Sequence, residues 1–238
     1  MFFRPVPLDE NHKYNFTIPY KELSIPFNRE STISIVQFPT ADSVAKGVVL
    51  YFHGNRQNIE RYAPRAPLFT KNNYEVWMID YPGYGKSTGE FNEQQLYDWA
   101  EIFYKLARAR YAKDSIIIYG RSLGSGIAAQ LASVHDCKSL VLETPYYSFP
   151  SLAGSWFPIY PVNKMIKFKI PTWQYVQEVI APVTIFHGTD DGVIRYSNAK
   201  RLMPYLKPGD RFITIDEGSH NNLAEFELYR NKLDSLLD

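Results

Sequence analysis

The sequence has almost no cysteine and no long apolar run, and these two absences limit the kinds of protein that it can encode. Cys137 is the only cysteine among 238 residues, so no disulfide can form within the chain. This composition is compatible with a reducing compartment. No run of 18 apolar residues is present, and the start, MFFRPVPLDENHKY, lacks the apolar core of a signal peptide. The chain as given is therefore expected to be soluble and cytoplasmic.

The sequence also lacks a strong net charge and the motifs that bind metals or nucleotides. The formal net charge of +1 provides no basic surface for nucleic acid. No HExxH or paired CxxC motif is present, and the histidines lack the spacing of metal ligands. Gly85-Lys86-Ser87-Thr88 resembles the end of a phosphate-binding loop, but Asp80 stands where that loop requires its first glycine. No metal, cofactor or nucleic-acid partner is expected.

Residues 1–15 are predicted to form an extended N-terminal segment. Phe2, Phe3, Pro5 and Pro7 resemble the end of a preceding segment more than the start of a fold. We therefore expect membrane association only if an anchor precedes Met1 in the natural protein, which is the alternative to a cytoplasmic location.

Apolar runs of strand length alternate with helical patterns along most of the chain. The runs GVVLYFHG and YEVWMIDYPG are continuously apolar, as strands covered on both faces are. Further strands are predicted at SIIIYG, SLVLET, PVTIFH and RFITI. Residues 16–25 and 32–38 are predicted to form an antiparallel hairpin at a sheet edge. This alternation predicts one α/β domain over residues 1–238, a mostly parallel, doubly wound sheet with helices on both faces.

Two helices are predicted on the first half of the chain. One runs to about Thr70, with Pro64 and Pro67 interrupting it. The other is capped by Asn92 and runs toward Arg110 with one apolar face.

Residues 115–132, SIIIYGRSLGSGIAAQLA, combine a strand, a tight turn and a helix around Ser122. Gly120 and Gly124 flank the serine, at positions where a Cβ atom would collide with neighbouring elements. A G-x-S-x-G turn in this setting lifts the serine hydroxyl above the carboxyl edge of a parallel sheet. Ser122 is therefore the candidate nucleophile.

A nucleophilic serine needs a histidine base and an acid that orients it, and this type of sheet provides them in the order Ser, Asp or Glu, His. His220 lies just past the last predicted strand and is the candidate base. His53 and His187 lie at strand ends and are expected to brace turns. Three acids at strand ends are candidates by position: Asp190, Asp191 and Glu143.

Two backbone amides are the candidate oxyanion donors. The turn His53-Gly54-Asn55 follows the first parallel strand, and Leu123 follows the serine. The N–H groups of Asn55 and Leu123 would then point at the site where negative charge develops on the attacked carbonyl.

Residues 145–181 interrupt the alternation of strands and helices with a short, lid-like excursion rich in aromatic residues and proline. Its aromatic side chains either line an apolar cleft beside the active edge or cover the sheet as any connecting helix does. The predicted pocket residues are Arg56, Tyr146, Tyr147, Trp156 and Phe157. Lys164, Lys167 and Lys169 are expected to give the outer rim positive charge.

The chain resembles the α/β-hydrolase superfamily in five motifs: the G-x-S-x-G turn at Ser122 (the nucleophile elbow), the HGN turn, DYPGYGKS, HGTDD and the final GSH. From about residue 20 onward the chain resembles its Bem46-like branch, which includes serine-aminopeptidase-like hydrolases and membrane-associated protein depalmitoylases. In that branch the acid is the fourth residue after the histidine of HGTxD, which implies Asp191. Members of the branch often carry an N-terminal anchor.

These residues predict a serine hydrolase that cleaves carboxylic esters through an acyl-enzyme, with a small-molecule ester or thioester as substrate. The alternatives are an acyl-protein thioesterase, an aminopeptidase-like amidase and a binding protein that keeps the fold without turnover. The amidase is less favoured, because no clear acidic cluster is present to hold a substrate ammonium.

Overall fold

The computed structural model describes residues 3–42, 44–156 and 167–238, and a mixed β-sheet forms its centre. The strands in these ranges are β1 Arg4–Pro5, β2 Lys21–Pro26, β3 Thr32–Phe38, β4 Gly47–Phe52, β5 Arg56–Gln57, β6 Tyr74–Ile79, β7 Ile116–Arg121, β8 Ser139–Glu143, β9 Val183–Gly188 and β10 Arg211–Ile215.

Eight of these strands form one sheet in the order β10-β9-β8-β7-β4-β6-β3-β2. The strands from β10 to β6 are parallel, and β3 and β2 extend the sheet as an antiparallel hairpin. Every residue of β4, β7, β8 and β9 is buried, which explains the continuous apolar runs of the sequence. The predicted parallel sheet and its edge hairpin are confirmed, although the first hairpin strand begins at Lys21 and not at residue 16.

The helices lie around this sheet: α1 Ile59–Tyr62, α2 Pro67–Thr70, α3 Glu93–Arg108, α4 Leu123–Val134, α5 Phe149–Trp156, α6 Thr172–Glu178, α7 Tyr196–Lys200 and α8 Glu227–Leu237. Asn92 caps α3 as predicted, because its side-chain oxygen accepts the N–H of Gln95 at 2.9 Å. Pro64 and Pro67 divide the first predicted helix into α1, a 3₁₀ turn and α2, since proline lacks the N–H of a helical residue.

Apolar side chains fill both faces of the sheet. On one face, Trp77 packs with residues of α3 and α4, including the buried Trp99. On the opposite face, Tyr51 and Tyr119 pack with α1, α2 and α8. The two cores confirm a doubly wound α/β fold. No helix in the described ranges has the length and apolar character needed to span a bilayer.

Residues 3–15 pack onto the fold and include a short strand at Arg4–Pro5. β1 pairs in parallel with β5, with Arg4 opposite Arg56. The ring of Phe3 lies 4.4 Å from that of Phe91 and 5.1 Å from that of Phe149, measured between centroids. Phe3, Arg4 and Pro5 therefore pack as part of the folded domain.

The excursion after β8 contains α5 and α6. The α6 helix packs against α4, the helix that follows the elbow. Residues 157–166 lie outside the described ranges. Within them the sequence predicts a pocket contact for Phe157 and a rim charge for Lys164.

Candidate active site

The turn between β7 and α4 holds Ser122 in an unusual backbone conformation. Its φ of 52° and ψ of −116° lie in a region that residues with a Cβ rarely adopt. A Cβ atom on Gly124 would lie 2.1 Å from the carbonyl oxygen of Phe52, so only glycine allows α4 to approach the end of β4. The strand, tight turn and helix predicted for this stretch are confirmed.

Ser122, His220 and Asp191 form a continuous hydrogen-bonded chain. The Nε2 atom of His220 lies 3.1 Å from the Oγ atom of Ser122, and its Nδ1 atom lies 2.8 Å from Oδ2 of Asp191. The three residues come from loops after β7, β9 and β10, at the carboxyl edge of the sheet. Ser122 and His220 each retain 8% of their surface accessibility, and both line the pocket described below.

The loop after β9 fixes the position of the Asp191 carboxylate. Its Oδ1 atom accepts the N–H groups of Val193 and Ile194, both at 2.8 Å, which leaves Oδ2 facing His220. Burial opposes ionisation of Asp191, but the hydrogen bond and charge of His220 and the amide of Ile194 outweigh it, so its pKa is lowered. Asp191 is therefore held as a carboxylate beside the imidazole.

The other two candidate acids do not contact His220. Asp190 is exposed, and its Oδ1 atom lies 3.3 Å from the hydroxyl of the preceding Thr189. Glu143 is fully buried and accepts hydrogen bonds from Arg65 at 2.7 Å and from Arg121 at 2.9 Å. Of the three acids, only Asp191 is placed to orient the imidazole.

Arg121 links this buried acid to the loop that carries His220. Its Nη2 atom donates to the carbonyl oxygen of His220 at 2.6 Å and to Oδ1 of Asn221 at 2.9 Å. Burial would raise the pKa of Glu143, but the charges of Arg65 and Arg121 outweigh it and lower the pKa to about 2. Sequence reasoning gave Arg121 no role, although a charged residue between a buried strand and the candidate nucleophile is a usable signal.

The loop after β4 lies against the serine. A Cβ atom on Gly54 would be 3.5 Å from the Cβ atom of Ser122. The hydroxyl of Tyr84 donates to both the backbone and the side-chain oxygen of Asn55, at 3.1 and 3.0 Å, and the N–H of Arg4 donates to that side-chain oxygen at 3.2 Å. Leu123 begins α4, and amides in the first turn of a helix lack an intrahelical acceptor. Asn55 and Leu123 line the same pocket as Ser122.

His53 and His187 brace turns, as the sequence predicted. The Nδ1 atom of His53 lies 2.7 Å from the carbonyl oxygen of Gly54, and its Nε2 atom lies 3.2 Å from Asp80. The Nε2 atom of His187 lies 2.8 Å from the carbonyl oxygen of Ile194. Burial lowers the pKa of His187, which favours its neutral form.

A pocket of about 450 Å³ opens above Ser122 and His220. Its lining includes apolar side chains from α5 and from the loops after β8 and β9: Tyr146, Phe149, Leu152, Val193 and Ile194. It also includes arginine side chains: Arg4, Arg56, Arg61 and Arg121. Among the described residues, no three His, Cys, Asp or Glu side chains come together in a metal-binding group.

The pocket predictions for Tyr146 and Arg56 agree with this lining, and the prediction for Tyr147 is wrong. Tyr147 stacks on Trp173 at 5.8 Å between ring centroids, and its hydroxyl lies 3.2 Å from that of Tyr205. Adjacent residues after β8 point in different directions, so only Tyr146 faces the pocket. For Trp156 the structure describes the helical backbone alone.

The prediction of positive charge at the rim is also wrong for Lys167 and Lys169, whereas Lys164 lies outside the described residues. Lys167 and Lys169 are exposed, and neither lines the pocket. The amide of Lys169 instead donates to a carboxylate oxygen of Glu93, which ties this segment to the start of α3. Among the described residues, the positive charge of the pocket lining comes from arginines.

The doubly wound sheet, with a serine at the turn after its central strand, defines the chain as an α/β hydrolase. The serine aminopeptidase S33 family matches residues 43–175, and the chain belongs to that family. It is 31% identical to alpha/beta hydrolase domain-containing protein 17C of Xenopus tropicalis over 189 residues. That similarity covers 78% of this chain and 59% of the relative, so the chain spans only part of the relative's length.

Solved structures share the fold over nearly the whole chain. The Pyrococcus furiosus esterase Pf2001 superposes with a TM-score of 0.77 at 16% identity, covering 100% of this chain and 97% of the esterase. A soluble variant of the monoglyceride lipase from Saccharomyces cerevisiae gives a TM-score of 0.72 at 15% identity, covering 97% and 98% of the two chains. At such low identity these similarities establish the fold and leave the substrate open.

Proposed function

We propose that this protein is a serine hydrolase that cleaves carboxylic esters through a covalent acyl-enzyme. The single observation that carries the proposal is the hydrogen-bonded chain from Ser122 through His220 to Asp191, with distances of 3.1 and 2.8 Å. Membership of a hydrolase family supports the same class of reaction.

In the first step, the Oγ atom of Ser122 attacks the ester carbonyl while Nε2 of His220 takes the hydroxyl proton. The carboxylate of Asp191 holds the imidazole by its Nδ1 atom and stabilises the imidazolium that forms. Two amides of the Val193–Ile194 loop keep that carboxylate in place, so little reorganisation accompanies proton transfer.

The carbonyl oxygen becomes negatively charged when the serine adds to it. The backbone N–H groups of Asn55 and Leu123 would stabilise this charge, and each such donor contributes about 3 to 4 kcal/mol to the transition state. His220 then protonates the departing alcohol. Water, activated by the same imidazole, attacks the acyl-enzyme and releases the acid.

The pocket favours esters over the aminopeptidase alternative. A substrate with a free ammonium group needs a carboxylate beside it, whereas Asp191 already faces His220. The described lining of the pocket instead carries several arginines, which would repel an ammonium group. Thioesters remain substrates for the same machinery, because attack at their carbonyl needs the same groups.

The test combines active-site labelling with a panel of substrates. Ser122→Ala should abolish both labelling by a fluorophosphonate probe and hydrolysis of p-nitrophenyl esters from acetate to palmitate, with matched acyl thioesters assayed in parallel. The control Ser197→Ala changes an exposed serine of α7 and should retain both activities. A folded wild-type protein that neither reacts with the probe nor turns over any ester would instead support the binding-protein alternative.

A further inference from the structure

The pocket has two chemically different sides, and Ser122 lies between them. The sheet order places β8 and β9 on one side of β7 and β4 on the other. Apolar side chains such as Tyr146 and Ile194 follow β8 and β9. The arginines Arg56 and Arg61 follow β4.

The basic side is built from two segments held in register. Because β1 pairs with β5, Arg4 lies opposite Arg56. Arg61 in α1 lies within 3.3 Å of the side-chain oxygen of Gln57, a neutral partner. Two segments that are distant in sequence thus converge with like charges on one side of the mouth.

These three arginines have no acidic partners. Within residues 3–42, 44–156 and 167–238, the ion pairs involve other cations, and no carboxylate lies at ion-pair distance from Arg4, Arg56 or Arg61. All 25 acidic residues of the chain fall in these ranges. Like charges gathered without counter-charges are unfavourable unless a ligand neutralises them.

The buried group behind the pocket adds to the positive potential. Arg65 and Arg121 share the single carboxylate of Glu143, so this group carries net positive charge. Glu143 is ionised at neutral pH because its pKa is lowered to about 2. Its single negative charge balances one of the two arginines, so the group has a net charge of one positive unit. An anion at the mouth of the pocket is thus attracted by direct contact with the exposed arginines. It is also attracted by the net charge of the buried group, which salt screens less than it screens surface charges.

We propose that Arg4, Arg56 and Arg61 form a subsite for an anionic group on the alcohol half of the substrate. The substrate class is then an ester that joins an apolar acyl chain to an alcohol bearing a phosphate, sulfonate or carboxylate. The acyl chain lies along the apolar side, the carbonyl at Ser122 and the anion at the arginines. This assignment rests on the proposed esterase function.

The test compares octanoyl esters that differ in charge. The pair 1-octanoylglycerol and 1-octanoylglycerol 3-phosphate, assayed below their aggregation concentrations, changes the charge with little change at the reacting carbon. The pair propyl octanoate and 3-(octanoyloxy)propane-1-sulfonate provides a non-lipid anion on an alkyl leaving group, and octyl hydrogen succinate places the anion on the acyl half. The subsite predicts higher kcat/KM for each alcohol-side anion than for its neutral partner, and no such gain for the succinate.

The Arg4→Gln/Arg56→Gln/Arg61→Gln variant should lower the ratio of anionic to neutral kcat/KM by about ten-fold. Lysine at the same positions should restore much of the ratio, and 250 mM NaCl should reduce it in the wild type. The control Arg29→Gln/Arg211→Gln removes two exposed arginines elsewhere and should leave the ratio unchanged. An unchanged ratio in the triple variant, or a preference for the succinate, overturns the subsite.

A binding measurement separates this proposal from the esterase proposal. Octyl phosphate should bind to Ser122→Ala by titration calorimetry more tightly than octyl glucoside, and the triple arginine substitution should remove the difference. If no ester is hydrolysed but octyl phosphate binds in this arginine-dependent way, the esterase function fails and the anion subsite stands. Equal binding of the two octyl compounds overturns the subsite whatever the catalytic result.

Discussion

Replacing Glu143 by glutamine is expected to destabilise the fold strongly. The carboxylate is fully buried and is the shared partner of Arg65 and Arg121. The drop in its pKa from an ordinary 4.5 to about 2 corresponds to about 3 kcal/mol of stabilisation. Removing the carboxylate leaves the buried guanidinium of Arg121 and the half-buried guanidinium of Arg65 without a counter-charge. Breaking a buried ion pair in this way costs about 3 to 5 kcal/mol in other proteins.

Urea denaturation followed by circular dichroism measures this loss. With a slope of about 3 kcal/mol per M, the midpoint should fall by about 1 M. The matched control is Glu178→Gln, an exposed glutamate at the end of α6, whose midpoint should not change. A Glu143→Gln midpoint equal to that of the wild type would refute the reasoning from burial and charge.

The stabilisation that Glu143 contributes depends on pH in a defined direction. Because the folded pKa of Glu143 is below the unfolded value, its contribution is fully present above pH 5 and is lost as the pH falls from about 4.5 toward 2. The wild type should therefore lose more stability over this interval than Glu143→Gln does. If Glu143 were the acid that orients His220, its substitution would instead reduce turnover about a thousand-fold and affect stability little.

Three further substitutions or reactions test the site and its support. Asp191→Asn should lower kcat by about a thousand-fold or more, because the amide cannot accept the Nδ1 proton in the same way; retained activity would exclude Asp191 as the orienting acid. Gly124→Ala should destabilise the protein by about 2 to 3 kcal/mol, since its Cβ atom would lie 2.1 Å from the oxygen of Phe52, whereas Gly192→Ala meets open space and should change the melting temperature little. Burial raises the pKa of the Cys137 thiol to about 12, so Ellman's reagent at pH 8 should react only after unfolding; rapid reaction of the native protein would contradict this burial.

The nucleophile and the base were identifiable from sequence because each depends on local signals. Ser122 lies between glycines at a strand-to-helix turn, and His220 follows the last strand. The acid that orients His220 could not be identified from local signals, because Asp190 and Asp191 are neighbours that follow the same strand. Only the family resemblance distinguished Asp191 from Asp190. The structure separates them by geometry, since the turn after β9 directs one carboxylate inward and leaves the other exposed.

The pocket walls depend on contacts between distant segments, which sequence patterns do not encode. Tyr146 and Tyr147 are adjacent and chemically alike, yet only Tyr146 faces the pocket. Arg4 reaches the mouth because its strand pairs with residues more than fifty positions later. Arg121 supports the His220 loop across the sheet edge, a contact that only the folded chain creates.

The docking of the first residues beside the mouth has a practical consequence for engineering. A fragment trimmed to begin at the hairpin would lose the guanidinium of Arg4, the backbone donor to Asn55 and the aromatic cover of Phe91. A purification handle fused ahead of Phe3 would emerge from the protein close to the mouth of the pocket. Assays of ligand preference are therefore best made with handles attached after α8.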